Sequence, residues 1–153
     1  MISIAISEKE KVIKILTNWI KYLPEAILCQ RDSVTKITFS PVLFSSYNNS
    51  VLSFYVRFDK TMEKLLITSK NHYKTASLIT HQSSRSNPTK NKGILFIGNL
   101  LDWQKASGNN YPKTSNRSLW KSTDSLLLVK FDIYRISYWS GINFGSYYFK
   151  KSP

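Results

Sequence analysis

The chain has 153 residues, of which 42% are hydrophobic and 14% aromatic, and this is the size of one domain with one contiguous core. The composition excludes an intrinsically disordered chain, because it supplies enough apolar surface to offset the entropy lost on ordering. The formal net charge of +13, from 22 Lys and Arg against 9 Asp and Glu, favours anionic partners without identifying one.

The cysteine count and the hydropathy of the sequence limit the cellular compartments in which we expect the protein. Cys29 is the single cysteine, which excludes an intrachain disulfide and a cysteine-based zinc site. We therefore expect a reducing, cytoplasmic environment. Residues 1–6 lack a basic n-region, and no apolar run approaches the roughly twenty residues that span a bilayer. We expect neither a signal peptide nor a transmembrane helix.

The first predicted element is an amphipathic helix over about residues 7–23. Ser7 and Glu10 form a capping box at its start, and Pro24 ends it. Apolar residues recur at helical spacing, which predicts a face that packs on a sheet. That face consists of Val12, Ile13, Leu16, Trp19, Ile20 and Leu23.

From residue 26 onward the period changes to that of β-strands. Pro41 has no backbone N–H and is therefore expected at an edge or a bulge. Alternation is clearest where Leu52, Phe54 and Val56 share one face and Tyr55 lies on the opposite, polar face. The core face of the last strand changes midway, which indicates a bulge or bend. Strands are predicted at 26–29, 37–44, 52–58, 75–80, 94–101 and 126–138, with polar loops at 83–92 and 105–117. A short helix is predicted at 59–68, with Asp59 as its N-cap.

The sequence lacks most known arrangements of catalytic residues or supports them only weakly. Cys29 with His72 or His81 is the available nucleophile and base, but Cys29 lies in an apolar strand, which favours an inert core thiol. The two histidines have few carboxylates near them, so a metal site is disfavoured. The chain has no Walker loop and no Gly-rich dinucleotide fingerprint, and its nine acids are scattered.

A basic turn is the best candidate for a ligand site. Arg57 ends the alternating strand, and Lys60, Thr61 and Lys64 surround the start of the following helix, where free N–H groups attract anions. The competing interpretation is a solvated basic turn. Six aromatic residues are candidates either for a cofactor pocket or for core packing: Trp103, Trp120, Tyr138, Trp139, Tyr147 and Tyr148.

The order of these elements resembles the pyridoxamine 5'-phosphate oxidase-like superfamily of split β-barrels, which includes general stress proteins. The resemblance covers most of the chain and is strongest in the closing segment, 125–141, which is similar to the last barrel strand of stress-type members. It implies an α+β, mostly β fold, a six-stranded antiparallel split β-barrel with an N-terminal amphipathic helix and one or two short helices. We expect a single split-barrel domain over 1–153, with the barrel at about 26–140 and a short C-terminal tail.

The resemblance also implies a homodimer that binds FMN at the subunit interface and exchanges electrons with a small-molecule donor or acceptor. Lys64 would match the phosphate-binding lysine of the family, with Thr61 near its usual serine or threonine and Arg57 as a supplement. The sequence departs from the family pattern elsewhere. The arginine-plus-aliphatic phosphate motif is missing, and Arg31-Asp32-Ser33 replaces the Asp-Gly-Pro turn.

Three functions remain open at this point. The first is an FMN-binding protein that acts as a flavin-dependent oxidoreductase, in which the flavin supplies the redox chemistry. The second is a split barrel that has lost its cofactor and serves as an interaction protein. The third is a basic nucleic-acid-binding module, whose loops at 83–92 and 105–117 would contact phosphates without reading bases.

Overall fold

The computed structural model of the chain describes residues 10–14, 16–18, 21, 25–31, 35–48, 50–71, 75–82, 91–107, 120, 124–141 and 143–149. The helix α1 has described helical residues at 10–14, 16–18 and 21. The later elements are β1 Glu25–Arg31, β2 Ile37–Asn48, β3 Val51–Arg57, α2 Lys60–Asn71, β4 Thr75–Gln82, β5 Lys92–Lys105, β6 Leu126–Ser140 and β7 Asn143–Tyr148. Neither helix, over its described residues, is long and apolar enough to cross a membrane.

The seven strands form one antiparallel sheet in the order β3-β2-β1-β4-β5-β6-β7. Pairing of β3 with β6, from Val51 opposite Asp132 to Arg57 opposite Leu126, joins the sheet to itself. The result is a closed six-stranded barrel with β7 as an additional strand beside β6. The predicted fold, a mostly β split barrel with two short helices, is confirmed.

The predicted change of face in the last barrel strand is confirmed as a bulge in β6. Ile97 lies opposite Arg135 while Gly98 lies opposite Ile133, so β6 has one extra residue, Tyr134, at this point. A side chain at Gly98 would overlap the Asp132 carbonyl oxygen, which explains the glycine beside the bulge. The bulge lets the first half of β6 pair with β3 and the second half with β7.

The core fills the barrel with the inward-facing half of each strand. Phe54, Phe96 and Phe131 are fully buried, and the Phe96 ring meets Phe44 edge to face with centroids 5.7 Å apart. Both helices contribute apolar residues to the core. The buried helical residues are Val12 and Leu16 of α1 and Met62, Leu65 and Leu66 of α2. Ile13, predicted for the apolar face of α1, is 37% exposed.

Several boundaries differ from the sequence prediction. β2 extends past the predicted 37–44 to Asn48. The expectation of an edge position for Pro41 is confirmed, because among the described residues Pro41 pairs with β1 alone. The segment after residue 140, expected as a tail, contains β7. Ser7, residues 19–20 and 22–24, and most of the two predicted polar loops (83–90 and 108–117) lie outside the described residues.

Candidate functional site

A cavity of about 410 Å³ lies where β2 separates from β3. Pairing between these strands begins with Val42 opposite Val56, so within the described part of the chain residues 37–41 pair only with β1. The chain leaves β3 at Arg57, and the first turns of α2 form the opposite wall. The cavity is lined by Thr38, Phe39, Ser40, Pro41, Val56, Arg57, Asp59, Thr61, Met62, Leu65 and Trp120.

The charges on the cavity wall belong to Arg57 and Asp59. The Arg57 Nη2 lies 3.5 Å from the Asp59 Oδ2, and the two side chains are 57% and 46% exposed. A solvated ion pair of this kind contributes little to stability, so the guanidinium can change partner at small cost. Arg57 can therefore pair with an anionic ligand in the cavity if its contact with Asp59 breaks.

Asp59 is also the N-cap of α2. Its Oδ1 accepts a hydrogen bond of 2.8 Å from the Met62 N–H, and its backbone carbonyl accepts one of 3.0 Å from the Glu63 N–H. The predicted role of Asp59 as a helix cap is thus confirmed. The sequence predicted an anion site at the start of this helix. That position is already in contact with the Asp59 carboxylate.

The four residues of the predicted phosphate site fall into two groups. Arg57 and Thr61 line the cavity. Lys60 and Lys64 lie one helical turn apart on the exposed side of α2 and are not among the lining residues. Two of the four predicted residues therefore line the cavity, and the two lysines lie on the solvent side of α2.

Sequence reasoning missed the wall that β2 supplies. Thr38 and Ser40 were predicted only as part of a strand, and nothing in their spacing marks them as ligand contacts. The Thr38 hydroxyl lies 3.5 Å from the Gln30 carbonyl oxygen of β1. The separation of β2 from β3 creates this wall, and strand separation has no signature in a single sequence.

Among the six aromatic candidates, Trp120 is the one that lines the cavity. It also packs against a small cluster of Tyr55, Ala106 and Leu126 on the outside of β3. This cluster explains why Tyr55, predicted for a polar face, is buried. The other candidates have different surroundings: Trp103, Tyr138 and Tyr147 pack against the core, Trp139 stacks on His81, and Tyr148 lies against Arg135.

A second feature adjoins the cavity, an outer apolar face formed by Ile27, Ile37, Phe39, Pro41 and Ile79. The register places Ile27 opposite both Pro41 and Ile79, so these side chains share one face of β2, β1 and β4. Phe39 is 70% exposed and Ile37 53%. Cys29 lies on this face, opposite Phe39, and is half-buried, so its predicted place in the core is wrong.

The sequence matches no protein-family model and no curated protein. Solved structures do match. A protein related to general stress protein 26, of the pyridoxinephosphate oxidase family, from Clostridium acetobutylicum has a TM-score of 0.60 at 10% identity, over 91% of this chain and 95% of that one. The chain shares the split-barrel fold of that protein. The resemblance predicted from sequence is confirmed for the fold.

Two further structures show the range of ligands on this fold. A pyridoxamine 5'-phosphate oxidase-related, FMN-binding protein from Nostoc punctiforme has a TM-score of 0.53 at 9% identity, over 94% of this chain and 96% of that one. A heme-binding protein from Mycobacterium smegmatis has a TM-score of 0.52 at 13% identity, over 82% of this chain and 53% of that one. At these identities the likeness concerns the fold.

Proposed function

We propose that this chain is an FMN-binding split-barrel protein that carries out flavin-dependent oxidoreduction as a homodimer. The observation that supports the proposal most directly is the cavity between β2 and α2, which combines a guanidinium, hydroxyl groups and an aromatic ring. Its volume of about 410 Å³ falls within the range of cofactor and small-molecule sites. Bound flavin would supply the electron transfer, and the protein would supply position and electrostatics.

The residues on the cavity wall fit the two parts of FMN. Arg57 and Thr61 offer charged and hydroxyl donors for the phosphate. Trp120, with the apolar side chains of Val56 and Met62, offers an aromatic and apolar surface for the ring. Lys60 and Lys64, on the exposed side of α2, would draw the phosphate toward the cavity by longer-range attraction.

The proposal of a homodimer is supported by the outer apolar face. Contiguous exposed apolar patches mark interaction surfaces, and this one continues into the cavity through Phe39 and Pro41. A second copy on this face would cover the apolar side chains and close the cavity from the solvent side. Water would then be excluded from the flavin ring.

The test of the flavin site is an absorbance spectrum after incubation with FMN and removal of the excess by gel filtration. We expect the visible bands of flavin to be retained by the wild-type protein and reduced in Arg57→Gln and Lys64→Ala. Lys130→Ala is the matched control, since Lys130 is an exposed lysine of β6 outside the cavity wall. Absence of retained flavin from the wild-type protein would refute the proposal.

The same preparation distinguishes the other candidate functions. A colourless dimer without affinity for phosphate ligands would indicate a split barrel that has lost its cofactor. Binding to single-stranded or duplex DNA that weakens steeply with salt would indicate a basic nucleic-acid-binding module. Parallel incubation with haemin tests the ligand that the Mycobacterium smegmatis protein binds.

The test of the dimer is the mass in solution by light scattering. Ile79→Glu places a charge within the outer apolar face, where Ile79 is 39% exposed. We expect this change to produce a monomer. Leu101→Glu introduces the same charge at a β5 position that is 45% exposed and lies outside that face, and this control should remain dimeric. A wild-type monomer, or two variants of equal mass, would contradict the proposed interface.

A further inference from the structure

Both carboxylate oxygens of Asp59 contact groups that an anionic ligand in the cavity would use. Oδ1 accepts the hydrogen bond from the Met62 N–H at 2.8 Å, within the first turn of α2. Oδ2 lies 3.5 Å from the Arg57 Nη2. Amides at a helix start and a guanidinium both bind phosphate in proteins. The Asp59 carboxylate therefore competes with an anionic ligand for these two groups.

We infer that Asp59 is an internal counter-anion that lowers the affinity of the cavity for phosphate, so that the cavity selects a flavin by its ring more than by its phosphate. The inference rests on the proposed function and names Asp59 as the residue that sets specificity within it.

The charges around α2 support this inference. A phosphate group beside Asp59 is repelled by the Asp59 carboxylate. To pair with Arg57, it must also replace Asp59 in the ion pair. Glu63, exposed in the first turn of α2, adds a second negative charge near the helix start. Lys60 and Lys64 offset part of this repulsion but do not line the cavity.

The effect of Asp59 should be moderate, because Arg57 and Asp59 are both about half exposed and water screens their charges. We expect removal of the Asp59 charge to tighten phosphate binding about five- to tenfold, as for one solvated charge pair acting on a doubly charged group. Riboflavin, which has the same ring and no phosphate, should be unaffected.

The experiment compares wild type with Asp59→Asn and Asp102→Asn. Asparagine is as good an N-cap as aspartate, so the first variant keeps the hydrogen bond to Met62 and loses only the charge. Asp102 is an exposed residue of β5 outside the cavity wall, and its substitution raises the net charge equally. Quenching of flavin fluorescence gives the dissociation constants for FMN and riboflavin.

We expect wild type and Asp102→Asn to bind FMN and riboflavin with similar affinities, and Asp59→Asn to prefer FMN about five- to tenfold. Equal changes for both ligands, or no change for either, would overturn the inference. If the wild-type protein binds neither flavin, the proposed function fails, and the role of Asp59 is decided by a separate titration.

That titration uses inorganic pyrophosphate and follows the amide resonances of Met62 and Glu63 in nitrogen-15 NMR spectra. Tighter binding by Asp59→Asn than by the other two proteins, with shifts at these two amides, supports the inference whether or not flavin binds. Equal affinity in all three proteins, or no binding to any, overturns it, because the Asp59 carboxylate would then not be what keeps an anion out.

Discussion

The two halves of β2 have opposite surroundings although they belong to one strand. Residues 37–41 pair with β1 alone among the described residues, and Phe39 within them is 70% exposed on the cavity wall. From Val42 the strand pairs with β3, and Phe44 is only 5% exposed. Residues 37–41, the cavity half, provide part of the candidate site. Residues 42–48, the barrel half, stabilise the fold.

The comparison shows that the face of the strand on which a side chain lies, more than residue type, decides its surroundings. Phe39 and Phe44 are the same residue five positions apart. Phe39 faces outward where β2 extends past the end of β3, whereas Phe44 faces the closed barrel and meets the Phe96 ring edge to face. The part of β2 that extends past β3 therefore forms one wall of the cavity.

The largest expected effect comes from replacing each of these two phenylalanines by alanine. Phe44→Ala should lower the free energy of unfolding by about 3–5 kcal/mol, because it leaves a void in the core. Phe39→Ala should lower it by less than a third of that amount and should weaken flavin binding. Urea denaturation of both variants measures the difference. Similar losses in the two variants would show that the halves of β2 are not distinct.

A smaller effect is expected at two serines, Ser40 in the cavity half of β2 and Ser50 just after the barrel half. The Ser50 hydroxyl donates a hydrogen bond of 3.0 Å to the Asp132 Oδ1 and ties the end of the β2–β3 hairpin to β6. Ser50→Ala should therefore cost about 1 kcal/mol of unfolding free energy. Ser40→Ala, on the cavity wall, should cost less than about half of that. Equal costs would mean that the hairpin contact adds nothing to stability.

The smallest effect is confined to alkaline pH. Burial, followed by the nearby Tyr147 phenol, raises the pKa of Tyr47 in the barrel half above its ordinary value of 10.0. The folded chain then keeps a proton that the unfolded chain releases, so stability falls as pH rises above about 10. Tyr47→Phe should show a shallower fall between neutral and alkaline pH. Parallel pH profiles for the two proteins would contradict this assignment.

Much of the fold was predictable because it depends on local patterns. Alternation of Leu52, Phe54 and Val56 predicted β3 with its correct inward face, and all three are buried. The change of face in β6 predicted the bulge that the structure places at Tyr134. The last strand, β7, was missed because its exposed Phe144 and Tyr148 interrupt any simple apolar alternation.

The candidate site was less predictable than the fold. Arg57 and Thr61 were found from chain order, because they flank the start of α2. Thr38, Ser40 and Asp59 were not identified as site residues, although the capping role of Asp59 was. Their part in the cavity depends on β2 extending past the end of β3 and on α2 packing beside it, and both are properties of the tertiary structure.

By itself, the sequence determined a single mostly β chain with an N-terminal amphipathic helix, a basic surface and a cation at the start of the second helix. Periodicity and capping are local, so the order of residues is enough to reveal them. Only the tertiary structure decided that β3 closes on β6, that β2 pairs with β3 only from Val42 onward, and that a cavity forms between β2 and α2. Each of these depends on pairing or packing between separate segments of the chain, and the free energy of such contacts belongs to no single segment.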